Sequence, residues 1–307
     1  MELKKIHEDK KIKNKIKNKL LRTALKIHKQ LPFVPFEQSL IKVYHKLQDK
    51  DKIVEAKIDR INYLLDLDEV VDNKVFYGNW EHETTSIFKR MIKPGMVVLD
   101  VGANMGYYTL LAAKLTGGIG RVIAFEPTSG GLKRLKKNIL LNNFKNIIIE
   151  NVGLSNENKK IKAKIRHSWK RSGLVEPKED IMEMIKLDDY IEKNDIDNID
   201  FIKVDVDGYE YQFLKGAKKT LQRYKPVLCM EISNYEKGGN GGHLEDYGIS
   251  KGYSLKEIYS LLKSLDYNFY YENGSPISFE EMNERIIINK GCENFLLINK
   301  FNKKLFK

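Results

Sequence analysis

The sequence predicts an α/β fold: a Rossmann-like, seven-stranded, mostly parallel sheet with helices on both faces and an antiparallel last strand, preceded by an N-terminal helical segment. Three observations support this prediction. From about residue 95, apolar segments of strand length alternate with stretches of helical pattern, which is typical of βαβ units. The first of these strands runs into a glycine-rich turn and a helix. The strands also end in polar residues, where a parallel sheet binds its ligand.

The first 74 residues differ in pattern from the rest of the chain. Isoleucine and leucine recur every four residues between residues 12 and 20, with lysines between them, as expected for a helix. Two prolines in residues 31–38 interrupt this pattern, and a second helix is predicted over residues 38–66. We therefore divide the chain into a helical, lysine-rich extension, residues 1–74, and a main domain, residues 75–307.

Strands and helices are predicted to alternate through the main domain. The last two strands follow one another without a predicted helix, so one of them is expected to run antiparallel. Residues 155–190 interrupt the alternation, and the segment KIKAKIRH within them could form an extra hairpin strand. The predicted strands are Met96–Asp100, Val122–Glu126, Ile147–Asn151, Phe201–Asp205, Val227–Ile232, Asn268–Tyr271 and Phe295–Ile298, and the predicted helices lie near 106–116, 129–142, 209–223 and 254–265.

Polar residues end five successive predicted strands. Ligands of an open parallel sheet bind outside the carboxyl ends of its strands. A purely structural protein has no need for acids at these positions, so the pattern predicts a binding cleft there. The five residues are Asp100, Glu126, Asn151, Asp205 and Glu231.

The net charge of +12 belongs mostly to the N-terminus, because residues 1–30 alone carry +8. No run reaches the ~18 consecutive apolar residues needed to cross a bilayer, and the N-terminus lacks the apolar core of a signal peptide. Cys229 and Cys292 form no CxxC pair, so neither a disulfide framework nor a zinc site is expected. We expect a cytoplasmic protein whose basic segment is a solvated or packed helix, with peripheral membrane contact as the alternative.

The segment VVLDVGANMGYYTLLAA, residues 97–113, limits the choice of nucleotide. It does not match the phosphate loop GxxxxGK[ST]. The spacing Gly102-x-x-x-Gly106 also differs from the GxGxxG dinucleotide motif, and Asp100 precedes the first glycine by two residues. A carboxylate there would repel a pyrophosphate but suits a ligand that carries an ammonium and a sulfonium group. S-adenosylmethionine is such a ligand.

Other residues are expected to complete this cofactor site. Glu126 could accept both ribose hydroxyls, although dinucleotide enzymes use the same contact. Asn151 could contact the adenine edge, and Asn104 is expected to cap the helix that begins near Met105. The two loop glycines would form a tight turn with close helix packing. The predicted cofactor-binding residues are Asp100, Gly102, Asn104, Gly106, Glu126, Asn151 and Asp205.

An ordered series of motifs covers about residues 75–300. It includes PGMVVLDVGANMGYYTLLAA, GRVIAFEP, IIIENVGLS, IDFIKVDVDGYEYQFLKGAKKTL and KPVLCMEIS. The series resembles the FkbM-type methyltransferases, a branch of the class I S-adenosylmethionine-dependent fold. Its most distinctive part is the DVDGYE block. Asp207 stands in that block where many relatives have Glu, which keeps the charge but shortens the side chain.

The resemblance implies O-methylation of a hydroxyl on a sugar, glycan or secondary metabolite. Because a protonated hydroxyl is a poor nucleophile, a general base is expected within hydrogen-bond reach. Glu231, Asp207 and His243 are the candidate catalytic residues, and Asp205 is a further candidate base. His243 follows a glycine-rich segment that could act as a lid.

Three residues upstream of the glycine turn are candidates for the acceptor pocket. Tyr77 and Trp80 offer aromatic faces that suit sugar rings, and Glu81 offers a carboxylate. For Trp80, packing of the first helix against the sheet is at least as good an interpretation.

Three alternatives remain open. RNA ribose methylation would need a Lys-Asp-Lys-Glu set, but Lys225 starts its strand at the wrong end of the sheet, so a nucleic-acid partner is not expected. Metal-assisted transfer could use Asp205, Glu231 and Asn234 as oxygen ligands, but the spacing does not require a metal and none is assigned. A non-catalytic binding scaffold is disfavoured by the intact acids of the cofactor site.

Overall fold

The computed structural model describes residues 53–165, 170, 175–233, 253–271, 273–289 and 292–302. The chain divides into two compact units. One comprises residues 53–55 and Leu65–Trp80, and the other comprises Ala56–Leu64 and the described residues from Glu81 onward. The predicted N-terminal helix over residues 12–20 lies outside the described residues.

Residues 53–66 form a hairpin instead of the predicted second helix. Strands β1 (Ile53–Ile58) and β2 (Ile61–Asp66) pair in a two-stranded sheet. Asp59 and Arg60 between them have φ values of 49° and 65°, the left-handed conformation that a two-residue hairpin turn of type I′ requires. Alternate residues of β2 are buried, which is the period of a strand. The helix prediction was wrong for these residues, and its remainder lies outside the described residues.

The elements after the hairpin are introduced here in chain order. The helices are α1 (Val70–Tyr77), α2 (His82–Met91), α3 (Tyr107–Thr116), α4 (Ser129–Leu140), α5 (Leu187–Lys193), α6 (Glu210–Gly216), α7 (Lys218–Tyr224), α8 (Leu255–Ser264) and α9 (Phe279–Ile288). The strands are β3 (Val97–Val101), β4 (Arg121–Phe125), β5 (Ile147–Glu150), β6 (Gly153–Leu154), β7 (Lys159–Ile165), β8 (Lys178–Ile185), β9 (Phe201–Val204), β10 (Val227–Ser233), β11 (Tyr267–Tyr270), β12 (Pro276–Ile277) and β13 (Cys292–Asn299).

The large sheet confirms the predicted Rossmann-like architecture. Its strand order is β12-β11-β13-β10-β9-β3-β4-β5. The run from β10 to β5 is parallel, and β13 is antiparallel to both of its neighbours. Among the described residues this sheet has eight strands, one more than predicted, because the two-residue β12 joins its edge.

A helix that the sequence pattern did not predict lies between β11 and β13. Helix α9 begins with a capping box in which Ser278 and Glu281 bond each other's backbone, and it buries Met282 and Ile286. The absence of a helix between the last two strands was therefore a wrong prediction. With only two buried positions the apolar periodicity is weak, and the S-x-x-E pattern was the available signal.

A second, three-stranded sheet interrupts the alternation between β5 and β9. Its order is β6-β8-β7, and β7 pairs antiparallel with β8. The predicted extra hairpin strand is thus confirmed. Lysines of β7 point outward while Ala163 and Ile165 are buried, so this strand has one solvated and one packed face.

The central strands of the large sheet are buried and pair in register. Leu99, Ile202 and Leu228 lie side by side in β3, β9 and β10, and none is accessible to solvent. Because these strands are parallel neighbours, their carboxyl ends lie along one edge of the sheet. Of the helices that the structure describes, none is long and apolar enough to span a bilayer.

Candidate active site

The glycine turn after β3 is held by backbone contacts to the end of β4. The N–H groups of Gly102 and Ala103 both donate to the carbonyl of Phe125, each at 3.0 Å. Gly102 and Gly106 have φ values of 86° and 89°, which glycine adopts without strain. Gly106 is also the N-cap of α3, and no side chain caps this helix end. The expectation that Asn104 caps the helix was therefore wrong.

The loop touches the end of β9 directly. An ideal Cβ on Gly102 would lie 1.8 Å from the carbonyl oxygen of Asp205, so only a residue without a side chain fits there. This contact joins the turn after β3 to the DVDGYE block 103 residues later in the chain. The turn and the acids after β9 therefore form one site.

Replacing Gly102 with Ala should destabilise the protein by about 3 kcal/mol or more, since the new methyl group meets backbone at a positive φ. Urea unfolding measures the change. Gly118→Ala is the matched control, because a Cβ there meets nothing within 4 Å. Equal stability of Gly102→Ala and the wild type would contradict the close approach.

Glu126 follows β4, where it was predicted, and its carboxylate is buried. Oε2 accepts the backbone N–H of Asn104 at 2.7 Å, and Oε1 accepts both the N–H and the hydroxyl of Thr128. Burial raises the pKa of Glu126. These three hydrogen bonds hold the Glu126 carboxylate in one orientation. Oε2 accepts one of the three, so it can accept a further hydroxyl.

Asp100, in β3, is the deepest acid of the turn. It is buried, and the Thr109 hydroxyl donates to its Oδ2 at 2.5 Å. Burial raises the pKa of Asp100 to about 6, against the opposing effects of Thr109 and of Lys203. A buried carboxylate with so few compensating donors suits a cationic ligand, because a nearby positive charge stabilises its ionised form.

Asn151 follows β5, and its side-chain amide bonds to the backbone just after β4. Its Nδ2 donates to the carbonyl oxygens of Glu126 and Pro127 at 2.8 and 3.2 Å. Both amide hydrogens are thus directed at protein, so a contact to an adenine edge would fall to Oδ1.

Three acids converge after β9 and in β10. One carboxylate oxygen each from Asp205, Asp207 and Glu231 lies within 4.8 Å of the others. β9 and β10 are parallel neighbours, so the predicted convergence of Asp205 and Glu231 is what the sheet produces. Burial raises the pKa of Glu231 well above its usual range, and the charges of Asp205 and Asp207 raise it further.

This spacing would also suit a divalent cation. A metal is not assigned, because acid spacing alone does not select one. A positive charge is also already supplied by Lys203, whose ammonium lies 3.1 Å from Asp205 Oδ2.

Glu81 belongs to the second unit, as Asp205, Asp207 and Glu231 do. Its Oε2 accepts the Tyr108 hydroxyl at 2.7 Å and the amide of Asn294 at 3.4 Å. Asn294 in turn is the antiparallel partner of Glu231. Burial raises the pKa of Glu81, while the charge of Lys203 lowers it. Glu81 is thus linked through Asn294 to the acids after β9.

Tyr77 and Trp80 belong to the first unit. Tyr77 ends α1 and packs edge to face against Phe76, with ring centroids 5.1 Å apart. The Lys74 ammonium lies 5.6 Å from the Trp80 ring centroid. His243 and Asn234, named as a candidate base and a candidate metal ligand, lie outside the described residues.

Several residues around the site escaped sequence reasoning. Lys203 is a fully buried lysine in β9. The strand period of two could have placed it on the same face as Asp205. Thr109 lies one turn into α3, where sequence alone gives no reason to pair it with Asp100. Cys229 is buried in mid-strand as predicted, and burial raises the pKa of its thiol to about 12, so it stays protonated.

Glu210 fixes the turn that carries Asp207. The Gly208 N–H donates to Glu210 Oε1 at 2.8 Å. The Tyr253 hydroxyl lies 2.7 Å from both the Gly208 carbonyl and Glu210 Oε2. Burial raises the pKa of Glu210 to about 7. A protonated Glu210 can donate to Tyr253 while Tyr253 donates to Gly208, which satisfies all three groups.

The fold and the site together define a class of protein: a Rossmann-like transferase with a buried acid in its donor loop and acids at neighbouring strand ends. The chain matches the model of the Methyltransferase FkbM domain over residues 100–269. It belongs to this family, and its residues 100–269 match a methyltransferase domain. The buried Asp100, the oriented Glu126 carboxylate and the open Gly102 turn would suit a cationic methyl donor such as S-adenosylmethionine.

Solved structures similar to the chain include a methyltransferase FkbM from Methylobacillus flagellatus, 20% identical, with a TM-score of 0.41 over 73% of this chain and 52% of that one. The chain thus spans about half the length of that relative. A putative rRNA methylase from Clostridium thermocellum is 15% identical, with a TM-score of 0.43 over 70% and 92% of the two chains. A S-adenosylmethionine-dependent methyltransferase from Aquifex aeolicus is 17% identical, with a TM-score of 0.38 over 70% and 89%. No curated protein sequence matches the chain.

Proposed function

We propose that the protein methylates a hydroxyl group of a sugar, glycan or secondary metabolite. The observation that carries this proposal is the convergence of Asp205, Asp207 and Glu231 within 4.8 Å, next to a donor loop that contacts Asp205 through Gly102. When bound, the donor supplies a methyl group on a sulfonium. A hydroxyl oxygen placed among the three acids would be aligned with that group, and alignment supplies much of the catalysis.

Glu231 is the proposed general base. As the new carbon–oxygen bond forms and the carbon–sulfur bond breaks, the hydroxyl proton would pass to its carboxylate. Burial, and after it the charge of Asp205, raises the pKa of Glu231 and so makes it a stronger base than an exposed carboxylate. Asp207 is the second candidate because its carboxylate lies in the same cluster, and His243 is the third.

The proposed donor contacts follow the described geometry. Asp100 would face the methionine end, with Glu126 toward the ribose and Asn151 Oδ1 toward the adenine. Asp205 adjoins the loop through its backbone carbonyl, which supports a role at the donor side as well. Gly102, Asn104 and Gly106 shape the turn, since all three have positive φ values. On the acceptor side we propose Glu81, which is linked to Glu231 through Asn294. Tyr77 and Trp80 stay predictions from the sequence.

A radiolabelled methyl-transfer screen tests the proposal. Sugar nucleotides, glycolipids and total RNA would serve as acceptors, with S-adenosylmethionine as donor and with or without a chelator. Label on a sugar hydroxyl, unchanged by the chelator, is the expected result. Label on RNA alone, loss of transfer with the chelator, or donor binding without transfer to any acceptor would favour the RNA, metal-assisted or scaffold alternative in turn.

We propose that residues 1–74 are a lysine-rich extension that precedes the methyltransferase domain in the chain. A charge of +8 in residues 1–30 supports peripheral contact of an otherwise cytoplasmic protein with anionic lipid. Flotation with liposomes that contain phosphatidylserine tests this. Binding that persists after deletion of residues 1–30 would contradict it.

A further inference from the structure

A buried lysine lies beneath the acids of the proposed site and takes no part in the methyl transfer proposed there. Lys203, the third residue of β9, has no solvent-accessible surface. Its ammonium lies 3.1 Å from Asp205 Oδ2 and 5.4 Å from the centroid of the Tyr108 ring. An amine in such a position must be paired with negative charge, because a lone buried cation is costly.

The sheet register places Lys203 between the donor side and the acceptor side. Lys203 is directly opposite Asp100 in β3 and opposite Cys229 in β10. Side chains two residues apart share a face, so Asp205 and Glu231 continue the same rows toward the carboxyl edge. One ammonium therefore lies between the acid proposed for the donor and the acid proposed as the base.

The charges around Lys203 are almost all negative. Lys203 is among the main influences on the pKa values of Asp100, Glu81 and Glu231, and it lowers all three. Those three carboxyls stand on different elements. The groups that face this network are Glu81 before α2, Asp100 in β3, Tyr108 in α3, Asp205, Asp207 and Glu210 after β9, and Cys229 and Glu231 in β10.

We propose that Lys203 is a positioning residue for methyl transfer, which holds Asp205 in place by a buried ion pair and balances the charge of Glu231 from beneath the cleft. It does not touch the reacting atoms. Its ion pair would hold the Asp205 side chain toward the cleft. Its positive charge would keep the neighbouring carboxyl groups from being protonated together. This proposal rests on the proposed function.

Lys203→Met removes the charge and keeps the length of the side chain. Without the ammonium, Glu231 should hold its proton to higher pH, because a nearby opposite charge lowers a carboxyl pKa by about one to three units. The rising limb of the kcat–pH profile should therefore move upward by about one unit or more. On the acid side of the shifted limb kcat should be at least about tenfold lower than in the wild type, and it should recover as the pH is raised past that limb. Binding of S-adenosylhomocysteine at pH 8.5 should change less than about threefold.

Lys162→Met is the control, because Lys162 also pairs with a carboxylate, Glu179, but on the exposed face of β7. It should match the wild type in every measurement. A folded Lys203→Met protein with the wild-type pH profile would overturn the proposal, since a merely structural lysine would change the melting temperature alone. If Lys203→Met does not fold, Lys203→Gln is measured in its place, because its amide is neutral and can still donate a hydrogen bond to Asp205. The limb should again move to higher pH, and an unmoved limb would overturn the proposal.

The binding arm separates this proposal from the proposed function. Calorimetric titration with S-adenosylhomocysteine in two buffers of different ionisation enthalpy counts the protons exchanged, and it needs no acceptor. A wild type that binds this molecule but transfers no methyl group refutes the proposed function. A proton count at pH 7 that is identical in the wild type and in Lys203→Met refutes the role of Lys203.

Discussion

Replacing Asp100 with Asn is expected to weaken S-adenosylmethionine binding about 100-fold. The carboxylate is buried and bonded by Thr109, so it would meet a cationic donor with little competition from water. Removing one partner of such a buried charged contact costs about 2–5 kcal/mol, or roughly 30- to 4000-fold in affinity. Isothermal titration calorimetry measures the loss, and a melting curve of the free protein checks that the variant folds.

The pH dependence of this binding has a definite sign. The pKa of Asp100 is raised to about 6 by burial, so below pH 6 the carboxyl is protonated before the donor arrives. Wild-type affinity should therefore fall as the pH drops from 7 to 5, by up to about tenfold per unit. Asp100→Asn should lose this dependence. Asp195→Asn is the control, because Asp195 is exposed and its φ of 49° suits asparagine equally well.

Wild-type affinity in Asp100→Asn would contradict the assignment of the donor loop. If the affinity of Asp100→Asn is lower than that of the wild type by the same factor at pH 5 and at pH 8, the Asp100 side chain shapes the turn without contributing its charge.

Replacing Glu231 with Gln should lower kcat about 100-fold or more, while the affinity for S-adenosylhomocysteine stays within about threefold. Glutamine keeps the shape but cannot accept the proton of the acceptor hydroxyl, and positioned bases contribute about 100- to 10,000-fold. Because the pKa of Glu231 is raised by burial, wild-type activity should increase with pH as this carboxyl ionises. That increase should be absent in the variant.

Glu192→Gln serves as the control, since Glu192 is an exposed residue of α5. Full activity of Glu231→Gln would remove Glu231 from the mechanism. Asp207→Asn would then be measured next, because its carboxylate belongs to the same cluster.

The donor loop and the strand ends are the parts of this molecule that sequence predicts well. A continuous apolar strand, a glycine turn and a helical repeat are local signals, and the structure places β3, the turn and α3 where they indicate. Parallel pairing then brings Asp205 and Glu231 together, because strand ends of a parallel sheet share an edge. The candidate cluster therefore followed from periodicity and one topological rule.

The features that were missed depend on side-chain orientation in the folded chain. Thr109 and Asp100 are nine residues apart on different elements, and Asn104 reaches Glu126 across 22 residues, so no helix or strand period pairs them. The hairpin of β1 and β2 was missed because its turn uses Asp59 and Arg60, which lack the glycine that usually marks such turns. Lys203 was missed because a lysine in an apolar strand resembles an exposed residue until its neighbours are known.

The close approach of Gly102 to the Asp205 carbonyl also bears on redesign of the enzyme. The turn that would hold the donor and the turn that presents the acids are in backbone contact, so a change in one displaces the other. Attempts to broaden the range of accepted molecules by altering residues 205–208 should therefore impair use of the donor as well. Substitutions intended to change the acceptor alone belong on elements that do not touch the glycine turn.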